Sequence, residues 1–285
     1  MARRSFTGRT VLVTGAGGGL GRSIALRFAA AGSRIVALDK DITGVEGLAA
    51  EITGRGGRCL AVPCDVTDAA ACASAVAAAV AQFGSLDVVV NNAGISQRSG
   101  FAATELAVIR RVMDVNFYGA VHCTKAALPH LVAARGLIIA VSSVAGYTPL
   151  IARTGYAASE HAMHGFFESL RTEVGPRGVD VMMACPSFIA THIDRNALGG
   201  DGLPVRHAQL TTGGRLSPEA VAERIYQGAR LGRRQLLIGR TAVAAWWLSR
   251  LAPGLYEKLM ARRLAGELES DASPTGMNHD RRPRP

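Results

Sequence analysis

Short, almost uniformly apolar runs alternate with longer, Ala-rich stretches along the first 240 residues. Apolar runs of this length predict strands that are buried on both faces, as in a parallel sheet. The intervening stretches are long enough for helices, so the pattern indicates an α/β fold. The predicted strands are Thr10–Val13, Arg34–Leu38, Cys59–Val62, Leu86–Val90, Leu137–Val141, Val179–Met183 and Leu236–Ile238.

This alternation predicts a single doubly wound parallel sheet of the Rossmann type, with about seven strands and with helices on both faces. The first helix is predicted from about Leu20 to Ala31, and the whole domain covers residues 1–240. A chain of 285 residues with 48% hydrophobic and 19% charged residues is large enough for one domain with a substantial core.

Three later segments depart from the alternation. Residues 187–214 are Gly-rich and weakly periodic, which favours a lid over a substrate site. Residues 241–269 predict an amphipathic, aromatic helical appendage that is interrupted at Pro253. Residues 270–285 are polar and rich in Pro and Arg, so we expect a disordered basic tail.

The formal charge of +10 narrows the choice of partners only slightly. From Arg230 onward the chain has 11 Lys and Arg against 5 Asp and Glu, so much of the excess lies outside the predicted sheet. No basic stripe with interleaved aromatic residues is present, and we expect no nucleic-acid binding. For residues 241–265 two interpretations stay open: a peripheral membrane contact, or a cover over the substrate mouth or a subunit interface.

The cysteine pattern and the N-terminal sequence favour a cytoplasmic location. The 5 cysteines form no CxxC pair, the sequence starts without a secretory leader, and no apolar run reaches about 18 residues. We predict no metal site.

A glycine cluster, TGAGGGLG, occupies residues 14–21 directly after the first strand and opens the first helix. Glycine permits a tight turn and lets the backbone approach a pyrophosphate, whose charge the helix N-terminus favours. The cluster therefore predicts a dinucleotide site. Its expected contacts are Gly15, Gly17, Gly18, Gly19, Leu20 and Gly21.

Asp39 ends the second strand, 24 residues after Gly15. A carboxylate at this position can accept hydrogen bonds from a ribose 2′-hydroxyl and would repel a 2′-phosphate. We therefore predict NAD as the cofactor in preference to NADP, although the adjacent Lys40, a further expected contact, weakens the preference. The alternative is that Asp39 merely caps the strand.

Several separated motifs resemble those of the classical short-chain dehydrogenase/reductase family over about residues 8–240. Besides the glycine cluster, they are Asp65-Val66, Asn91-Asn-Ala-Gly94, Val115-Asn-Phe-Tyr-Gly119, the segment from Ser143 to Tyr156, and Pro186-Ser-Phe-Ile-Ala-Thr191. The resemblance implies a homodimer or homotetramer formed through helices near 103–133 and 156–175. It also implies further cofactor contacts at Asp65, Val66, Asn92, Ala93, Gly94, Tyr156, Pro186, Ile189 and Thr191. For the Asn91–Gly94 segment, a role in stabilising the sheet is at least as strongly implied as binding.

The resemblance also implies NAD(P)-dependent interconversion of a secondary alcohol and a ketone. Asn116 would hold a water molecule in a proton relay, and Ser143 would polarise the substrate oxygen. Tyr156 would be the general acid in reduction and the base in oxidation. Ser143 precedes Tyr156 by 13 residues, as in the family, and its neighbour Ser142 is the less favoured candidate. Apolar residues in the expected specificity segments favour a small hydrophobic substrate: Leu150, Ile151, Phe188 and Ile189.

Glu160 stands where the family has the lysine of its Tyr-x-x-x-Lys motif. Residues four apart share one face of a helix, so Glu160 should lie beside Tyr156. A carboxylate there should raise the pKa of the tyrosine and repel anions, although it can accept hydrogen bonds from ribose hydroxyls. Three interpretations follow: an enzyme that works mainly as a reductase, a catalytically impaired NAD-binding sensor or subunit, or a substitution particular to this sequence. We take the active oxidoreductase as the first hypothesis.

Overall fold

The computed structural model describes residues 4–191, 193, 196–205, 214–264 and 266–269. The predicted tail 270–285 and parts of the predicted lid, residues 192, 194, 195 and 206–213, lie outside the described residues.

Seven parallel strands form one sheet in the order β3-β2-β1-β4-β5-β6-β7, which confirms the predicted Rossmann-type architecture. The strands are β1 Thr10–Thr14, β2 Arg34–Asp39, β3 Arg58–Pro63, β4 Val88–Asn91, β5 Leu137–Val141, β6 Asp180–Pro186 and β7 Gln235–Ile238.

Two strand ends differ from the sequence prediction by more than one residue. Strand β4 begins at Val88 rather than Leu86, because the Asp87 carboxylate instead accepts the backbone N–H of Thr10 at 2.9 Å. Strand β6 continues to Pro186, which pairs with Ile238 of β7. Each difference comes from pairing between strands that are distant in the sequence.

Helices cover both faces of the sheet. They are α1 Gly19–Ala29, α2 Ile42–Gly54, α3 Ala69–Phe83, α4 Leu106–Met113, α5 Gly119–Ala134, α6 Thr154–Val174, α7 Pro218–Arg230, α8 Arg240–Leu251, α9 Pro253–Leu264 and α10 Gly266–Glu269. A π-helical turn, Asp114–Tyr118, joins α4 to α5.

Successive side chains along a strand enter two different hydrophobic cores, one on each face of the sheet, as expected for a sheet covered on both faces. Leu12 packs into the core beneath α3, α5 and α6. Its neighbours Val11 and Val13 pack into the core beneath α1, α2 and α7. All three side chains are fully buried, so β1 contributes to the cores on both faces of the sheet.

The C-terminal helices α8 and α9 pack against the loop between β5 and α6. The Tyr147 hydroxyl donates to the Ala242 carbonyl at 3.1 Å, and the Tyr256 hydroxyl donates to the Pro149 carbonyl at 3.3 Å. The two helices are separated at Ala252, just before Pro253, as the sequence indicates. No helix within the described ranges is long and apolar enough to cross a bilayer.

Candidate active site

The ends of β1 and β4 are clasped together by one threonine and one asparagine. The Thr14 hydroxyl accepts the backbone N–H groups of Asn92 and Ala93, both at 3.0 Å. The Asn92 side-chain amide donates back to the carbonyls of Thr14 and Gly15, at 3.0 and 3.3 Å. Asn92 therefore stabilises the sheet edge, the structural role that its motif implied. The clasp lies where the chain order of the strands reverses, the usual position of a ligand crevice in such sheets.

The glycine turn depends on the absence of side chains at two positions. Gly15 has a φ of 66°, in the left-handed region that favours glycine. A Cβ atom placed on Gly21 would lie 2.0 Å from the Gly15 carbonyl oxygen, closer than any real contact. The first turn of α1 can therefore pack directly against the loop that follows β1.

The N-terminus of α1 is left open for an anion. Its N-cap residue is Gly18, which provides no side-chain hydrogen bond, and no acidic residue lies in the first turn. The first N–H groups of a helix have no partners within the helix, and its dipole favours negative charge there. The predicted contacts Gly19 and Leu20 belong to this turn, and they fit a pyrophosphate group.

The carboxylate of Asp39 stands across from this turn. Its two oxygens accept the backbone N–H groups of Gly17 and Asp41, each at 3.0 Å. These bonds fix the orientation of the carboxylate, and each oxygen keeps a lone pair for a further donor such as a ribose hydroxyl. Asp39 thus does more than end β2: it also holds the glycine turn in place.

A cavity of about 330 Å³ opens beside Asp39. Seven residues predicted from the sequence line it: Gly15, Asp39, Lys40, Asp65, Val66, Ala93 and Gly94. Five others were not anticipated: Thr67, Ile95, Arg111, Asp114 and Val115. Three of these five belong to α4 and the π-helical turn. No local sequence pattern predicts that these elements lie near the carboxyl ends of the strands.

Asp65 is held as a charged group within this cavity. The backbone N–H and the hydroxyl of Thr67 both donate to its carboxylate, at 2.9 and 2.8 Å, and they lower its pKa below the usual range. The nearby cations Lys40 and Arg111 act in the same direction. A carboxylate fixed in this way is a ready acceptor for an adenine amino group or a ribose hydroxyl.

Asn116 lies in the π-helical turn and is buried. Its side-chain oxygen accepts the Ile95 N–H at 2.8 Å, while its amide donates to the Ile95 carbonyl and to the Ser159 hydroxyl, both at 3.0 Å. Asn116 therefore ties the segment that follows β4 to α6. These bonds place Asn116 next to the helix that bears Tyr156.

The two candidate serines have different surroundings. Ser143 is half-buried, and its hydroxyl oxygen accepts the Ala145 N–H at 3.1 Å, which caps the turn after β5. This bond leaves the hydroxyl proton of Ser143 available for a substrate oxygen. Ser142 is buried and faces α6.

The Glu160 side chain is buried, only 6% exposed, whereas Tyr156 one turn earlier is half-buried. Burial raises the pKa of Glu160 to about 7, while the nearby hydroxyls of Ser142 and Tyr156 oppose the rise. Within the described chain, the Glu160 Oε2 and the Ser142 Oγ complete no hydrogen bond, so we regard burial as dominant. The sequence predicts a carboxylate beside Tyr156 that raises the pKa of the tyrosine. The structure adds that burial raises the pKa of Glu160 itself to about 7.

The segment after β6 returns to the glycine turn. Pro186 ends the strand, Ile189 forms a bridge with Leu216, and the Thr191 side chain lies within 3.4 Å of the space that a Cβ on Gly19 would take. Ile189 and Leu216 also pack against the core beneath α1. Of the predicted contacts in this segment, Thr191 is the one that reaches the glycine turn.

Comparison with known proteins identifies the class to which this fold and site belong. A family model described as short chain dehydrogenase matches residues 9–200. The chain is 38% identical over 273 residues to a Bos taurus protein named dehydrogenase/reductase SDR family member 7B, covering 92% of this chain and 83% of that protein. It is 34% identical over 267 residues to a Drosophila melanogaster dehydrogenase/reductase SDR family protein 7-like, covering 92% and 82%. The chain therefore belongs to the short-chain dehydrogenase family.

Solved structures give the same fold. A dehydrogenase/reductase from Sinorhizobium meliloti 1021 has a TM-score of 0.73 and 29% identity, covering 84% of this chain and 96% of that one. A short-chain dehydrogenase/reductase from Burkholderia phymatum, solved in complex with NAD, has a TM-score of 0.79 and 24% identity, covering 88% and 96%. A metagenomic short-chain oxidoreductase, solved in complex with NADP, has a TM-score of 0.69 and 24% identity, covering 82% and 98%. Because solved structures with NAD and with NADP share this fold, the fold does not determine which of the two cofactors this chain binds.

The contact between Gly21 and Gly15 predicts the effect of a small substitution. Gly21→Ala should weaken NADH binding by about tenfold or more, since overpacking of this kind typically costs about 1–3 kcal/mol and must displace α1 from the turn. Isothermal titration calorimetry measures the change. Gly47→Ala is the matched control, because Gly47 is exposed in α2 with nothing within 4 Å of the added methyl group, and its NADH affinity should stay that of the wild type. Equal affinities for the two variants would contradict the packing argument.

The raised pKa of Glu160 predicts how stability depends on pH. The folded protein keeps a proton to about pH 7 that the unfolded chain releases near its ordinary pKa of 4.5, so folding becomes less favourable as pH rises between these values. Relative to Glu160→Gln, the wild type should lose up to about 3 kcal/mol of unfolding free energy across this window and little outside it. Urea unfolding at a series of pH values measures the difference. For Glu173→Gln, an exposed site on the same helix, the difference in unfolding free energy from the wild type should not change with pH. If the difference for Glu160→Gln is also independent of pH, the folded protein does not hold a protonated carboxyl at Glu160.

Proposed function

We propose that this member of the short-chain dehydrogenase family is an NAD-dependent oxidoreductase that interconverts a secondary alcohol and a ketone. The observation that carries the proposal is the joint arrangement of an open helix N-terminus, the oriented Asp39 carboxylate and the half-buried Tyr156 at one edge of the sheet. The glycine turn and Asp39 would hold the dinucleotide, whose nicotinamide supplies or accepts a hydride when bound.

The catalytic roles follow from the hydrogen bonds and the charge of the site. Ser143 keeps a free hydroxyl proton and would donate it to the substrate oxygen. Tyr156 would give its proton to that oxygen during reduction, because a phenol with an ordinary pKa of about 10 is protonated at neutral pH. The ionised form of Glu160 favours a protonated tyrosine further, so we propose that reduction is the faster direction.

The preference for NAD rests on Asp39. Its carboxylate is fixed by two backbone N–H groups and would repel a 2′-phosphate. Lys40 and Arg111 also line the cavity, yet they lie close enough to Asp65 to lower its pKa, so part of their charge is already compensated. The balance supports NAD.

The apolar surroundings support a hydrophobic substrate. Phe101 is 64% exposed and Leu203 is 58% exposed, on two loops that pack together through the Glu105 N–H, which donates to the Gly200 carbonyl at 2.9 Å. Of the residues singled out in the sequence, Leu150 packs beneath α8 and α9, and Ile189 packs into the core. The apolar contacts for substrate would therefore come from Phe101 and Leu203 more than from those two.

Assembly as a homodimer or homotetramer stays our expectation. Leu106 is 63% exposed on α4 and Tyr118 is 48% exposed at the start of α5. Large apolar side chains exposed on neighbouring helices support an interface at this face.

Calorimetric titration with NADH and with NADPH tests the function directly. We expect NADH to bind at least about tenfold more tightly, and Asp39→Asn to narrow the gap because it removes the charge that repels the 2′-phosphate. A panel of hydrophobic ketones should then show turnover that Tyr156→Phe abolishes while NADH binding is kept.

Glu160→Lys separates the active enzyme from an impaired NAD-binding protein. Turnover by the wild type as well as by Glu160→Lys supports the proposal. Turnover only after the change, or failure of the wild type to bind either cofactor, would overturn it. The named relatives and solved structures carry dehydrogenase or reductase names and do not favour the non-catalytic alternative.

A row of exposed apolar side chains along α8 and α9 supports a peripheral membrane contact in addition. Val243, Trp247 and Leu251 have the spacing of one face of α8, and Leu255 and Leu259 have the spacing of one face of α9. Exposed cations at Arg250, Lys258 and Arg262 accompany it, which suits anionic lipid headgroups.

Co-sedimentation with vesicles that contain anionic lipid tests this contact. Trp247→Ser together with Leu251→Ser should reduce the bound fraction several-fold, because the two changes remove the most exposed apolar area of the row. Leu106→Ser, an equally exposed apolar site on α4, is the control. Equal binding by the wild type and the double variant would refute the membrane contact.

A further inference from the structure

A carboxylate from the end of the described chain is buried between two arginines beside the candidate active site. The Arg98 Nε lies 3.1 Å from the Glu267 Oε2, and the Arg153 Nη2 lies 3.8 Å from the same oxygen. The exposed fractions of the three side chains are 1%, 3% and 0%, so the group is shut off from solvent.

Both arginines are attached to the start of α6, the helix that bears Tyr156. Arg153 is the N-cap residue of α6, three positions before Tyr156. Arg98 follows β4 between two residues that are bonded to the same helix start. The Gln97 side chain accepts the Gly155 N–H at 3.2 Å, and the Ser99 N–H donates to the Ala152 carbonyl at 3.0 Å.

The stability of the fold alone does not explain this buried ion pair. Desolvation of buried charges can cancel their attraction, and apolar residues of similar size often stabilise a protein equally well. Among the described residues, the Glu267 carboxylate that approaches both guanidinium groups is carried by α10, a helix of only four residues. The two arginines make up a carboxylate receptor, since a planar guanidinium fork matches a carboxylate closely.

We propose that Arg98 and Arg153 form a subsite for a substrate carboxylate, which Glu267 occupies until an acidic substrate displaces α10. This inference rests on the proposed function, because it assigns a substrate class to the same site: a hydrophobic oxo acid or hydroxy acid. The loop that bears Leu203 is joined to this subsite, since the Arg98 N–H donates to the Leu198 carbonyl at 2.8 Å. The carboxylate of such a substrate would meet the arginines, while its apolar part would meet Phe101 and Leu203.

Octanoate and octanamide are matched probes for this subsite, because they share a chain length and differ in charge. Glu267→Gln should bind octanoate about tenfold or more tightly than the wild type does, because the internal competitor has lost its charge. Octanamide should bind both proteins equally weakly. The matched control Glu257→Gln changes an exposed glutamate on α9 and should bind octanoate as the wild type does. Calorimetry and ligand-induced thermal stabilisation provide the readouts, without cofactor or turnover.

A second pair of variants keeps the test decisive. Should Glu267→Gln be too unstable to titrate, Glu267→Asp keeps the charge but shortens its reach, and it should also bind octanoate more tightly than the wild type. Adding Arg98→Met to either variant should abolish the gain. The proposal would be overturned if the Glu267 variants bind octanoate no more tightly than octanamide. It would also be overturned if their increased affinity for octanoate persists after Arg98→Met. A protein that binds octanoate in this way yet turns over no ketone would instead refute only the proposed function.

Discussion

The clasp between Thr14 and Asn92 is the constraint on which the rest of the site depends. It joins the carboxyl ends of β1 and β4, the two strands between which the sheet changes direction. With these ends fixed, the glycine turn has one position, and α1 packs on it so closely that Gly21 admits no side chain. The same clasp sets the start of the segment that Asn116 ties to the Tyr156 helix. The cradle proposed for the cofactor and the proposed proton donor would therefore be positioned by one set of hydrogen bonds.

Glu160 changes the electrostatics of this frame without disturbing it. A lysine at this position would add a positive charge beneath the tyrosine, whereas a buried carboxyl with a pKa of about 7 offers a neutral group or a negative one. The ionised state disfavours release of the Tyr156 proton, and both states are compatible with transfer of that proton to a substrate. This environment supports our proposal that the enzyme works mainly as a carbonyl reductase.

Much of the fold could be predicted because its signals are local. Apolar runs located the strands, and the glycines after β1 located the turn. What the sequence could not provide depends on contacts between distant segments. The helical spacing placed Glu160 beside Tyr156, but its burial against Ser142 depends on how β5 and α6 pack. Likewise, the bond from Gly17 to Asp39 requires the folded turn. The ion pair between Arg98 and Glu267 joins residues that are 169 positions apart, and no periodicity or motif in the sequence predicts it.

We infer that the clasped crevice presents a nicotinamide ring to Tyr156. A crystal structure of the full chain with NADH tests this inference most directly. We expect the pyrophosphate at the N-terminus of α1, the adenosine ribose hydroxyls on Asp39, and the nicotinamide within reach of the Tyr156 hydroxyl. A cofactor bound away from the glycine turn, or a nicotinamide remote from Tyr156, would contradict it.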